Sequence, residues 1–148
     1  MTEITCTKRW SEIPFAHRQH FHDGHCALIH GHNWSIEVEF TCAKIDLNGF
    51  VMDFGKLKGF KELISKFDHA LVLRMDDPLC CKLDDSVCNL IEIPDASSEG
   101  LAKYFYANFS QMLERDSEFE DARNRSVKIK RVTVFEDSKN SGTYRNES

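Results

Sequence analysis

Hydrophobic and polar residues alternate strictly over residues 35–40, SIEVEF, with Ile36, Val38 and Phe40 on one side and Ser35, Glu37 and Glu39 on the other. That period of two predicts a half-buried strand. Asn48-Gly49 supplies a turn and FVMDF, residues 50–54, resumes as a strand, so the two runs read as an antiparallel hairpin. The period then changes. Asp53 can cap a helix, and Phe54, Leu57, Phe60, Ile64 and Phe67 recur at helical steps with lysines between them, ending near Asp68-His69. Residues 76–95 are acidic and irregular, bounded by Pro78 and Pro94, with CNLIEIP as a short strand. Ser97 or Ser98 caps a second helix, whose apolar face is Leu101, Phe105, Phe109 and Met112. EFEDARNR reads as a polar connection and VKIKRVTVFE as a closing strand, with a bulge where the alternation shifts face between Ile129 and Val132.

A further strand is predicted in the N-terminal EITCTKRW, and a partly frayed tail in SKNSGTYRNES. The whole, residues 1–148, reads as one α+β domain: an antiparallel four-stranded sheet with two helices on one face. The sheet edges of so small a unit invite pairing with other copies of the chain.

Composition narrows the function. The chain is 41% hydrophobic and 29% charged, with a net charge of -5 and a pI near 5.8. That argues against a nucleic-acid partner held by a broad basic surface. The basic run KIKR, residues 128–131, reads as a solvated strand face. No apolar run approaches the ~18–20 residues needed to span a bilayer. MTEITCTKRW lacks the apolar centre of a secretory signal, so a cytoplasmic protein is expected. The six cysteines form no CxxC pair, and a reducing compartment would keep them as thiols.

The histidines change the picture most. Six of seven fall within the sixteen residues HRQHFHDGHCALIHGH, 17–32, with Cys26 among them. His30 and His32 are two apart, so on a strand both imidazoles point to one face, with Gly31 leaving space between them. A third imidazole from a preceding strand would complete a three-histidine site with an open fourth position, the arrangement of a catalytic zinc. Nickel, cobalt or iron also suit imidazole. Spacing leaves the third ligand open among His17, His20, His22 and His25. Cys26 has three readings: a fourth ligand closing a structural site, a base or nucleophile beside the metal, or a buried inert thiol. Asp68-His69 is either an acid–base pair or a helix C-terminal feature. Glu136, ending the last strand, is either a surface charge or an acceptor for paired N–H groups of a ligand ring.

Six blocks, FAHR, CALIHGHNW, GFVMDFGKLK, FDHALVL, SSEGLA and VTVFED…TY, occur in an order and spacing that resemble the 6-pyruvoyl-tetrahydropterin synthase / 6-carboxytetrahydropterin synthase family. The resemblance implies that His17, His30 and His32 bind Zn2+. It implies that Cys26 is the catalytic thiol, that Asp68 and His69 assist it, and that Glu136 anchors the pterin ring. Ser97, Ser98 and Glu99 match a block that in the family meets the pterin from a neighbouring subunit. The fold implied is the tunnelling fold (T-fold), an oligomeric barrel of trimers paired into a homohexamer, with active sites between subunits.

A cysteine three residues clear of His-Gly-His resembles the bacterial 6-carboxytetrahydropterin synthases of queuosine biosynthesis. This implies conversion of 7,8-dihydroneopterin triphosphate to 6-carboxy-5,6,7,8-tetrahydropterin, acetaldehyde and triphosphate. Two alternatives stand beside it: the pyruvoyl synthase reaction on the same substrate, and a non-catalytic metal- or pterin-binding module. The block before His17 lacks a second alanine, and Asp137 and Ser97 each stand where the family commonly has threonine. Arg18, Lys56 and Lys58 are the basic candidates for the phosphates.

Overall fold

The computed structural model describes residues 2–146. Two long antiparallel strands form its centre, β1 (Ile4–His17) and β2 (His30–Cys42). Every second side chain of β2 from Trp34 to Phe40 is fully buried, as the alternation requires. The other strands are β3 (Ala70–Arg74), β4 (Asn89–Ile93), β5 (Lys128–Phe135) and β6 (Ser141–Arg145). They lie in the order β4-β3-β1-β2-β5-β6.

The sheet is therefore six-stranded and mixed, not four-stranded and antiparallel: β3 runs parallel to both β1 and β4. Two strands escaped the sequence pattern for opposite reasons. In β3 Ala70 to Leu73 are all buried, a continuous apolar run with no alternation to read. In β6 only Gly142 is buried, so the strand looks like polar tail. Gly142 is nonetheless closely packed, since a Cβ there would meet Glu99 N at 2.5 Å. The 50–54 segment is not a strand either. β2 is already paired along both edges, by β1 and β5, which leaves no place for a hairpin partner. Val51 and Met52 are instead buried in a bend, and Asp53 Oδ1 accepts from Gly55 N at 2.9 Å to start a 3-10 turn, Phe54–Lys56.

Helix α1 spans Lys58–Ser65, shorter than the apolar periodicity because that turn precedes it. Helix α2 spans Ser98–Arg115, and Ser97 caps it, its hydroxyl accepting from Gly100 N at 3.0 Å. Phe60 of α1 and Phe109 of α2 stack at 4.2 Å over Phe40 of β2, which puts both helices on one sheet face. The expected polar connection contains a third short helix, α3 (Glu120–Asn124), held by buried Phe119 and Ala122. The bulge in β5 falls at Lys130, since Ile129 pairs with Phe40 and Arg131 with Glu39. All six cysteines are free thiols. Among the described residues no helix is long and apolar enough to cross a membrane.

Candidate functional site

The site lies where β1 ends and β2 begins. His17, the last residue of β1, pairs directly with His30, the first of β2, and Phe15 pairs with His32. Directly opposed residues of an antiparallel pair share a face, as do residues two apart. His17, His30 and His32 therefore converge on the helix-facing side. Ring centroids are 4.6 Å apart for His17–His30, 5.4 Å for His17–His32 and 5.0 Å for His30–His32. The imidazole that the strand pairing brings beside His30 and His32 is thus that of His17, not of His20, His22 or His25. Gly31 points to the opposite face, with Phe15 O 3.8 Å from a Cβ built on it, so its lack of a side chain is not what makes room.

Main-chain carbonyls orient two of the rings. His17 Nδ1 lies 2.6 Å from Ala96 O, and His30 Nδ1 2.7 Å from Leu28 O. A carbonyl can only accept, so each Nδ1 carries the proton and each Nε2 keeps its lone pair. Such a second contact is what sets the tautomer of a metal-binding histidine. Trp34 supports the group from below, edge-on to His17 at 4.9 Å and to His32 at 5.2 Å, and is itself stacked on Phe15 at 4.4 Å. His17 is 2% exposed. Burial, with some repulsion from His30 and His32, outweighs the Ala96 carbonyl and lowers its pKa to about 4. It is neutral at pH 7, the form that binds a metal.

These residues fit a divalent ion. The ligand atoms of His17, His30 and His32 lie within 4.8 Å of one another. His17 Nε2 and His32 Nε2 are buried without a hydrogen-bond partner. A buried lone pair with nothing to accept is costly, and a metal ion satisfies it. Cys26 is not a member of the cluster, which speaks for three protein ligands and an open position rather than a closed site.

A cavity of about 570 Å³ opens over the imidazoles, and Cys26, Ser97 and Glu136 line it with them. Cys26 is exposed in a 3-10 turn, His25–Ala27, so it is not a buried inert thiol. Glu136 follows β5 and faces the histidines, with Oε2 4.0 Å from His32 Nε2. Its peptide N–H bonds Asn140 O at 3.0 Å, and Asp137 accepts from the N–H groups of Lys139 and Asn140 at 2.8 Å, which closes the turn beneath it. Those bonds hold the Asp137 carboxyl below its ordinary pKa.

Other expected residues lie elsewhere. Ser98 is buried and donates to its neighbour Glu99 at 2.8 Å, and neither lines the cavity. Asp68 and His69 pair at 2.6 Å, with side chains 55% and 84% exposed. His69 borders a different hollow, with Ala16, Gly31 and Asn33, on the opposite sheet face. It sits at φ 60°, its N–H bonded to Pro14 O at 2.7 Å. Within one chain Asp68-His69 does not reach the Cys26 cavity. Nor is Arg18 free for phosphate, because it grips Asp77 at 2.6 and 2.7 Å. Lys56 lines a separate hollow beside Asp46 and Asp53. Gln19 lines the cavity although nothing in the sequence pattern singles it out.

The 6-pyruvoyl tetrahydropterin synthase family model matches residues 5–147. The 6-carboxy-5,6,7,8-tetrahydropterin synthase of Rickettsia conorii is 38% identical over 75 residues, 49% of this chain and 54% of that protein. The chain thus spans about half the length of the curated relatives it matches. An uncharacterized protein from Wolinella succinogenes superposes with a TM-score of 0.81 at 17% identity, covering 99% of this chain and 100% of the other. A 6-pyruvoyltetrahydropterin synthase from Plasmodium vivax gives a TM-score of 0.72 at 21% identity, covering 99% of each chain. Identities this low speak to fold alone.

Proposed function

We propose, from the premise that this chain belongs to the 6-pyruvoyl tetrahydropterin synthase family, that it is a zinc-dependent lyase making 6-carboxy-5,6,7,8-tetrahydropterin for queuosine biosynthesis. Its substrate is 7,8-dihydroneopterin triphosphate, one water is consumed, and acetaldehyde and triphosphate leave. The observation that carries this reading is the pair of orphaned, buried Nε2 atoms on His17 and His32, beside His30, at the floor of a cavity that also holds a thiol and a carboxylate. The curated relatives bearing the carboxytetrahydropterin name support the product.

His17, His30 and His32 would hold zinc, which supplies Lewis-acid polarisation of the oxygens on the substrate's side chain. Glu136 accepts N–H groups of the pterin ring, and its charge makes those bonds stronger than neutral ones. Cys26 Sγ, at the rim of the same cavity, takes and returns a proton on the side chain. Loss of triphosphate and cleavage of the side chain each need such a transfer. Ser97 borders the pterin. Asp68-His69 opens on the far sheet face of its own chain, so it serves as the second acid–base pair only at the cavity of a neighbouring copy. That asks for an assembly, and the homohexamer of paired trimers that the family resemblance implies would supply one. Ser98 and Glu99 contribute by fixing the start of α2.

The test is product analysis with zinc-loaded protein and 7,8-dihydroneopterin triphosphate. Acetaldehyde released in step with triphosphate is expected. Triphosphate without acetaldehyde would mean the pyruvoyl reaction, and neither product would mean a binding module.

A further inference from the structure

Among the described residues three buried side-chain polar atoms have no hydrogen-bond partner: His17 Nε2, His32 Nε2 and the Gln19 amide nitrogen. All three residues line the cavity that holds Cys26 and Glu136. A divalent ion would account for the two imidazole nitrogens, since a neutral imidazole can offer each as a lone pair. It leaves Gln19 unexplained, because an amide nitrogen is a donor and cannot ligate.

The main chain of Gln19 is fixed from two sides. Its N–H donates to Cys26 O at 2.7 Å, and its carbonyl accepts from His22 N at 2.9 Å. Gln19 lies two residues beyond His17, the end of β1, so its side chain starts from a point tied both to a metal ligand and to the thiol's turn. A buried donor left without an acceptor weakens the free protein and strengthens only a complex that supplies the acceptor.

We propose that Gln19 is a substrate-binding residue, its side-chain amide donating to an oxygen acceptor on the substrate's side chain. This rests on the pterin triphosphate reading of the cavity and adds to it a contact on the Cys26 side. The acceptor is a hydroxyl or a phosphate oxygen, groups that share the same chemistry towards an N–H.

Gln19→Met keeps the length of the side chain and removes the donor. Zinc-loaded wild type and variant are titrated with 7,8-dihydroneopterin, which has the hydroxyls and no phosphate, and separately with inorganic triphosphate. Binding about tenfold weaker in the variant is expected for one of the probes, which then identifies the acceptor. The melting temperature without ligand should hold or rise, since the unpaired donor is gone. Equal affinity of the two proteins for both probes overturns the proposal, and a lowered melting temperature alongside would mark Gln19 as structural. A wild type that binds neither probe defeats the pterin reading, and this contact with it. Should the variant not fold, the Gln19 side-chain 15N–1H2 resonances of the wild type decide: they move on ligand binding if the amide finds its acceptor, and stay if it does not.

Discussion

His17 and His30 face each other across the last pairing of β1 with β2, their rings 4.6 Å apart and each Nδ1 turned to a main-chain carbonyl. Neither carbonyl is a remote feature: Ala96 O comes from the residue just before the cap of α2, and Leu28 O from the turn that carries Cys26. The two imidazoles are thus tied to the Ser97 side and the Cys26 side of the cavity by single hydrogen bonds.

Removing either ring should abolish tight metal binding while the core survives, since the packed face below is Trp34 and Phe15. His30→Ala is expected to bring metal from about one ion per chain to a trace, by elemental analysis, with the far-ultraviolet circular dichroism unchanged. In the wild type, chelation should lower the melting temperature by several degrees, because an ion that binds only the folded state stabilises it by mass action.

Glu136 tests the other end of the cavity. Glu136→Gln swaps an acceptor-only group for one that must present a donor as well. Pterin affinity is expected to fall about 10–100-fold, the range for a hydrogen bond to a charged group. Metal content should not change, as Glu136 is not in the histidine cluster. Calorimetric titration with 7,8-dihydroneopterin reads the first and elemental analysis the second.

Gly142, in β6, packs against the start of α2. A methyl group there would come within 2.5 Å of Glu99 N and 2.7 Å of Ser98 C, main-chain atoms that cannot swing aside. Gly142→Ala should cost about 1–3 kcal/mol, the usual penalty for overpacking, read as a lower denaturation midpoint. Pterin binding should weaken too, since Ser97, which caps α2, and Glu136, in the turn that leads into β6, line the cavity together.

Much of this was legible in the residue pattern, for physical reasons that also explain what was not. β2 alternates because one face is buried, and α1 and α2 show their apolar stripes for the same reason. His30 and His32 could be put on one face by period alone. The third imidazole could not, because choosing His17 requires the register of β1 on β2, which no local spacing encodes. The family resemblance supplied it. β3 and β6 were hidden, the first buried throughout and the second at an edge with a glycine as its only buried residue. Gln19 and the Arg18–Asp77 pair left no trace in the pattern, since their significance comes from contacts across the fold and from burial.

Asp68-His69 and Cys26 open on opposite faces of one chain's sheet. If a working site takes its thiol from one copy and its acid–base pair from another, two dead variants should rescue each other. Cys26→Ala and His69→Ala are each expected to lose nearly all turnover. Assembled together from equal amounts, they should recover up to about a quarter of wild-type activity, since that share of interfaces draws an intact residue from both neighbours in a symmetric oligomer. Mixed assemblies as inactive as their parents would mean that each chain completes its own site.

Asp77 predicts how the protein responds to acid. Its buried carboxylate takes two bonds from Arg18, at 2.6 and 2.7 Å, and one from Leu79 N at 2.9 Å, while His20 Nδ1 stands 3.9 Å away. The Arg18 contact, more than any other, holds the Asp77 carboxyl below its ordinary pKa. A depressed folded-state pKa means that the unfolded chain takes up the proton first. The stabilisation is therefore complete above the unfolded value of about 3.9 and is lost as pH falls through the lower folded value. Asp77→Asn removes this dependence and leaves the partly exposed Arg18 without its partner, at a cost of about 1–3 kcal/mol. At pH 7 the variant should unfold at lower denaturant than the wild type. Below pH 4 the gap between them should narrow, because the wild type is losing what the variant never had. A gap that stays constant from pH 7 to pH 3 would show that the Arg18–Asp77 pair carries no pH-linked stability.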